Sequence, residues 1–140
     1  MDLARKLKMI DDSIKKKANN DLVEMDLTIV QHHTLVYLVH QDDHTAELKA
    51  IEREFRVSQP TVAGIAQRLE AKGYVEALQH PTDRRIKMIR LTPQGEELCS
   101  RSWEKMKARM DGMTAGLSEE ELSELDRLLD VVYRNLEAAD

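Results

Sequence analysis

At Gly73 the apolar spacing of the chain changes from helical to alternating. Upstream, in "VSQPTVAGIAQRLEAKG", Val62, Ile65, Ala66 and Leu69 recur every three or four residues, as on one face of a helix. Downstream, "YVEALQ" at 74–79 and "IKMIRL" at 86–91 read as two short strands. Val75 and Ala77, and likewise Ile89 and Leu91, alternate to one side. The loop between them, near 81–85, holds Pro81 and Asp83, residues that favour turns. A helix, a glycine stop and a hairpin in immediate succession fit few folds.

The flanking segments narrow the choice further. Ser58 is placed to cap the helix that ends at Gly73. Before it, a helix opening at Thr45 carries Leu48, Ile51 and Phe55 on one face, and Arg56 and Val57 form a short turn. Helix, turn, helix and hairpin together make a winged helix-turn-helix. The remaining segments read as helices. Residues 3–18 carry Leu3, Leu7, Ile10 and Ile14 at helical spacing, until Asn19, Asn20 and Asp21 interrupt the pattern. "TIVQ" at 28–31 is a capping box that opens a second helix, running to about Val39. "HQDDH" at 40–44 is a polar break. Thr92 and Pro93 open a fifth helix that runs to about Met113. Gly116 interrupts, and Ser118 with Glu121 opens a sixth, which carries Leu122, Leu125, Leu128, Leu129, Val132 and Leu136.

The expected fold class is therefore mainly α with a small β-hairpin wing. It is a winged helix-turn-helix on a helical dimerisation scaffold, with six helices and two to three short strands. At 140 residues a single domain is expected over 1–140, with 41–91 as the winged module and 1–40 and 92–140 as the scaffold. The scaffold's leucines exceed what covering the module requires. A homodimer would bury them, and packing within a monomer is the alternative.

Charge supports this division. The formal net charge is −5, yet residues 45–91 hold nine Lys and Arg against six Asp and Glu. A basic middle between acidic ends suits a nucleic-acid module on an acidic scaffold. The major groove is about 12 Å wide and admits one helix, the one after the turn. On that helix Gln59, Pro60, Ala63, Gly64 and Gln67 lie opposite the apolar face. They are small or amide-bearing, which suits close approach to base edges. Ser58, Thr61 and Arg68 could hold phosphates beside the positive helix N-terminus. At the hairpin tip Thr82, Arg84 and Arg85 could reach the minor groove. Asp83 would repel phosphate if free. Paired with Arg85, or with Arg68, it would brace a guanidinium instead.

"LTIVQHHTLVYL", "VSQPTVAGIAQRLEAKGYVE", "DRR" and "IRLTPQG" occur in this order, and from 26 to about 98 the chain resembles MarR-type winged-helix transcription regulators. The resemblance implies a homodimeric repressor of a palindromic double-stranded DNA operator, released by a small-molecule effector. It implies an effector cleft lined from helices one, two and five, with His33, Tyr37 and Trp103 as candidates by position. Two departures stand out. Ile51, Glu52 and Arg56 occupy places where the family commonly has Leu-Ala and, in the turn, glycine. Gly64 replaces a larger polar or basic residue on the recognition helix.

Other functions find less support. No Gly-rich phosphate loop, nucleophile–histidine motif or apolar carboxylate pair is present, so no enzyme and no cofactor are expected. The cluster His32, His33, His40 and His44 lacks convergent spacing for a metal. Cys99, the one cysteine, excludes an internal disulfide framework and lies among acids that oppose thiolate formation. No apolar run approaches the roughly 20 residues of a membrane span. The N-terminus lacks an apolar signal core. A cytoplasmic protein without membrane association is expected. The competing class is a winged-helix or helical adaptor working through protein–protein contacts.

Overall fold

The computed structural model describes residues 2–139. Met1 and Asp140, the outer bounds of the expected domain and scaffold, lie outside the described residues.

Helix α1 spans Leu3–Glu24, longer than its apolar spacing predicts. Asn19, Asn20 and Asp21 do not break it, because such residues cost a helix only tenths of a kcal/mol each. Leu22 and Met25 pack on the core beyond them and hold the last turn. The chain leaves the helix through Asp26, whose φ is +53°. Helix α2 (Ile29–Val39) begins with the expected box: Thr28 Oγ1 accepts from the Gln31 amide, and Gln31 Oε1 accepts from the Thr28 amide, both at 3.2 Å.

Thr45 does not open a helix. Residues Thr45–Glu47 form a strand, β1, and helix α3 covers Leu48–Phe55. The reason lies in the preceding turn. Asp43 and His44 both adopt positive φ, which swings the chain out extended, and Ala46 is buried opposite Ile89. Three residues are too few for alternation to reveal a strand.

Helix α4 (Gln59–Ala71) is followed by β2 (Val75–Gln79) and β3 (Lys87–Leu91). The sheet order is β1-β3-β2, antiparallel throughout. Val75, Ile89 and Leu91 enter the core, as the alternation indicates. Ala77 does not. It pairs with Ile89 but stays exposed, because the wing projects past the helices that cover Val75. The innermost side chains are Leu35 and Leu38 of α2, Ile51 of α3 and Leu69 of α4, all with 0% exposure.

Helix α5 (Pro93–Met113) starts where β3 ends, with the Thr92 hydroxyl accepting from the Gly95 amide at 3.1 Å. Helix α6 (Glu119–Ala138) is capped by Ser118, whose hydroxyl accepts from the Glu121 amide. The chain divides into two compact units, with the division after Ser102, inside α5. Everything through the wing and the first turns of α5 belongs to the first unit. The second holds the rest of α5 and α6, and no described α6 residue is buried. No helix of the described residues is long and apolar enough to cross a membrane.

Gly95 marks the tightest junction. A Cβ there would collide with the Tyr74 carbonyl oxygen and come within 2.8 Å of Leu91 Cδ1. Gly95→Ala is expected to destabilise the protein by roughly 1–3 kcal/mol, the usual cost of overpacking. Thermal unfolding followed by circular dichroism measures it. An unchanged midpoint would show that the β3–α5 corner yields freely.

Candidate nucleic-acid interface

Helix α4 is presented by the turn before it and held by the face beneath it. Arg56 ends α3 in the left-handed conformation, φ +54° and ψ 47°. Ser58 then caps α4, accepting from the Thr61 amide at 3.4 Å and bonding the Thr61 hydroxyl at 2.8 Å. Val62, Ile65, Ala66 and Leu69 are buried. Their burial fixes the rotation of the helix. It leaves Ser58, Gln59, Pro60, Thr61, Gln67 and Arg68 exposed, and Ala63 and Gly64 half-buried. Apart from Arg68 near its end and Glu70, this helix is uncharged. Arg68 lies back over Gly64: its Nη1 is 3.5 Å from where a Gly64 Cβ would stand.

The wing is set against α4 from the other side. Glu70 Oε2 accepts from the Ala77 amide at 3.0 Å, tying the helix to β2. Between them runs an open groove of about 400 Å³, lined by Ala63, Gln67, Glu70, Ala77, Arg84 and Lys87 among others. On the opposite side Arg90 binds Glu76 through Nε at 2.8 Å and approaches Asp43 at 3.7 Å.

At the wing tip the charges separate into roles. Asp83 takes Arg85 and not Arg68. Its Oδ1 accepts from the Arg85 amide at 3.0 Å and from Nε at 3.1 Å, and its Oδ2 accepts from Nη2 at 3.1 Å. The bidentate pair and the amide hold the Asp83 carboxyl below the usual carboxylate range, and raise Arg85. Asp83 therefore stays ionised at neutral pH. The pair is lost only as pH falls through that depressed value. Arg84 has no hydrogen-bond or ion-pair partner among the described residues and is exposed. The loop also has an anchor that its residue types did not suggest. His80 Nδ1 accepts from the amides of Thr82, at 3.3 Å, and Asp83, at 3.2 Å. Only its place before Pro81 hinted at such a cap.

The residues considered for sensing are scattered. On α2 His33 is exposed and Tyr37 half-buried, and Tyr37 packs edge-on against Phe55 with ring centroids 6.0 Å apart. Trp103 is in the second unit and 61% exposed. His32 bonds the Ser102 hydroxyl at 2.9 Å, and burial, aided by His33, lowers its pKa. Among the described residues no group of three or more His, Cys, Asp or Glu could hold a metal. Burial, aided by Glu96, pushes the Cys99 thiol up to about 11.

A presented helix with a bare polar face, flanked by a hairpin with an unpaired arginine, defines a winged helix-turn-helix protein. The model of the MarR family matches residues 25–86. The multiple antibiotic resistance protein MarR of Salmonella typhimurium is 27% identical over 129 residues, 91% of this chain and 88% of that one. The transcriptional repressor IacR of Pseudomonas putida is 31% identical over 77 residues, 55% of this chain and 46% of its own. Among solved structures, S. aureus MepR in complex with DNA superposes with a TM-score of 0.84 at 28% identity, covering 95% of this chain and 98% of that one. YusO of Bacillus subtilis, at 20% identity, shares the fold with a TM-score of 0.86 over 94% of this chain and 92% of its own. The chain is thus similar to the winged-helix transcriptional regulators of the MarR family, and the relatives it matches are regulators and not enzymes.

With its thiol held protonated, Cys99 is expected to react with iodoacetamide at neutral pH at least about tenfold more slowly than an ordinary free cysteine. A mass-spectrometric time course measures this. Rapid alkylation would mean that the half-buried pocket opens readily.

Proposed function

We propose that this protein is a cytoplasmic homodimeric repressor that binds a palindromic double-stranded DNA operator and is released by a small-molecule effector. The observation that carries the reading is the pairing of an almost uncharged, accessible α4 face with a free Arg84 beside it. Gln59, Pro60, Ala63, Gly64 and Gln67 would face base edges in the major groove. Ser58, Thr61 and Arg68 would hold phosphates. Arg84 would enter the minor groove, and Arg85 would stay braced by Asp83 with Thr82 beside it. That MepR has been seen on DNA, and that IacR is a repressor, supports carrying this chemistry to the present chain.

The dimer is supported by what a single chain leaves uncovered. Leu125, Leu128, Leu129 and Leu136 of α6 are 40–67% exposed, and Trp103, Met106 and Met110 of α5 are 43–61% exposed. Two-fold pairing would cover such stripes and present two α4 helices. Their half-sites would lie one helical turn, about 34 Å, apart. For effector release, His33, Tyr37 and Trp103 are the residues to vary.

Four measurements test the reading. Light scattering should give twice the chain mass of 16.1 kDa, and a concentration-independent monomer would remove both dimer and palindrome. Affinity for a duplex selected by the protein from random sequences should fall with salt at a logarithmic slope of several units. Replacing Arg84 and Arg85 together by alanine should weaken binding about a hundredfold, from roughly 1–3 kcal/mol per arginine. An unchanged affinity in that variant would favour an adaptor that works through protein contacts. Asp83→Ala should also weaken binding although it removes a negative charge, and a gain would refute the brace.

A further inference from the structure

The wing loop is folded round one imidazole. Pro81 has no N–H, so the first amides available after His80 are those of Thr82 and Asp83. Both donate to His80 Nδ1, at 3.3 and 3.2 Å, and the Thr82 hydroxyl lies 3.3 Å from the same atom. The loop then closes on itself: the Ile86 amide donates to the Asp83 carbonyl at 3.1 Å, and the His80 amide to the Ile86 carbonyl at 3.4 Å. Asp83, so held, aims its carboxylate at Arg85. A nitrogen that accepts from two backbone amides must carry a lone pair. This arrangement fits the imidazole that carries its proton on Nε2 alone.

We propose that His80 is the positioning residue of the wing, and that DNA binding through the wing falls when its imidazole takes up a proton. This rests on the DNA-binding reading above and deepens it. Protonation turns Nδ1 from acceptor to donor. The Thr82 and Asp83 amides then lose their partner, and the turn that sets Asp83 against Arg85 and presents Arg84 loosens. The charged groups around the imidazole pull both ways. Asp83 attracts the imidazolium. Arg84, Arg85 and Lys87, whose backbone pairs with Gln79, oppose it. An imidazolium near phosphate would by itself strengthen binding, so the sign of the pH response separates the two effects.

Asparagine is the discriminating substitution. Its Oδ1 stands as many bonds from the backbone as Nδ1 of histidine, accepts the same two amides and does not titrate. Fluorescence anisotropy on a duplex selected from random sequences by the wild-type protein should be recorded from pH about 8 to about 5.5, across the range in which histidines titrate. Wild type should lose affinity on acidification, and His80→Asn should bind like wild type at high pH and lose markedly less. His80→Ala should bind about tenfold more weakly throughout, the cost of leaving the amides without their acceptor. Equal acid loss in wild type and His80→Asn, tighter binding of wild type in acid, or full affinity of His80→Ala would overturn the proposal. Nuclear magnetic resonance of the free protein reads the loop without DNA. The Thr82 and Asp83 amide shifts should follow the His80 titration and stay flat in His80→Asn, and amides that ignore the titration would also overturn it. Should the wild type select no duplex at all, the DNA-binding reading fails while the amide shifts still judge His80.

Discussion

The module depends on β3. It is the middle strand, so its backbone groups are satisfied on both edges, by β1 and by β2. Its side chains alternate between two duties. Ile89 and Leu91 enter the core, while Arg90 between them reaches Glu76 on one side and Asp43 on the other. Those ion pairs are 40–83% exposed, and such pairs contribute little to stability. Their value is in register. A slip by one residue would drive Arg90 into the core and turn Ile89 out, which the sheet cannot tolerate. With register fixed, the hairpin tip stands at a set distance from α4.

From that fixed strand the surface follows by subtraction. Four buried side chains set the roll of α4, and the Glu70–Ala77 bond sets its approach to the wing. What remains outward is small, amide-bearing or hydroxylic. The tip holds one acid and two arginines, and the acid is spent on Arg85. Arg84 is thereby the cation left free for a partner. A single aspartate determines both which arginine is rigid and which is available.

Much of this was legible in the sequence. The switch of period at Gly73 located α4 and the hairpin, because burial of one face imposes spacing directly. Caps at Thr28, Ser58, Thr92 and Ser118 were readable because each needs one residue type at one place. What escaped detection was non-local. β1 is three residues long and exists because β3 has a free edge, a fact recorded 41 to 45 residues away. The continuation of α1 through Asn19 and Asn20 depends on Leu22 and Met25 meeting the core. Ala77 alternates correctly yet stays exposed, because alternation shows which side a residue takes and not whether anything covers that side. In the site, the Asp83–Arg85 pair was one of two options by proximity, while His80 looked like any polar loop residue.

By net charge an acidic chain is a poor ligand for a polyanion, but net charge is the wrong measure. Exposed charges are screened over about 8 Å at physiological ionic strength, so only those beside the contact count. Beside α4 and the wing tip stand Arg68, Arg84, Arg85 and Lys87, against Asp83 and Glu70. Asp83 and Glu70 are both engaged in hydrogen bonds. Elsewhere acids prevail, with twelve Asp and Glu against six Lys and Arg from Thr92 onward. On the DNA-binding reading this uneven distribution has a use. Non-specific binding to DNA is almost wholly a matter of phosphate charge, and a basic chain would acquire it everywhere. A chain that is acidic overall, with few cations beside the contact, gains little from a random duplex. It must then draw its affinity from the geometry of those two elements, where shape and base edges decide.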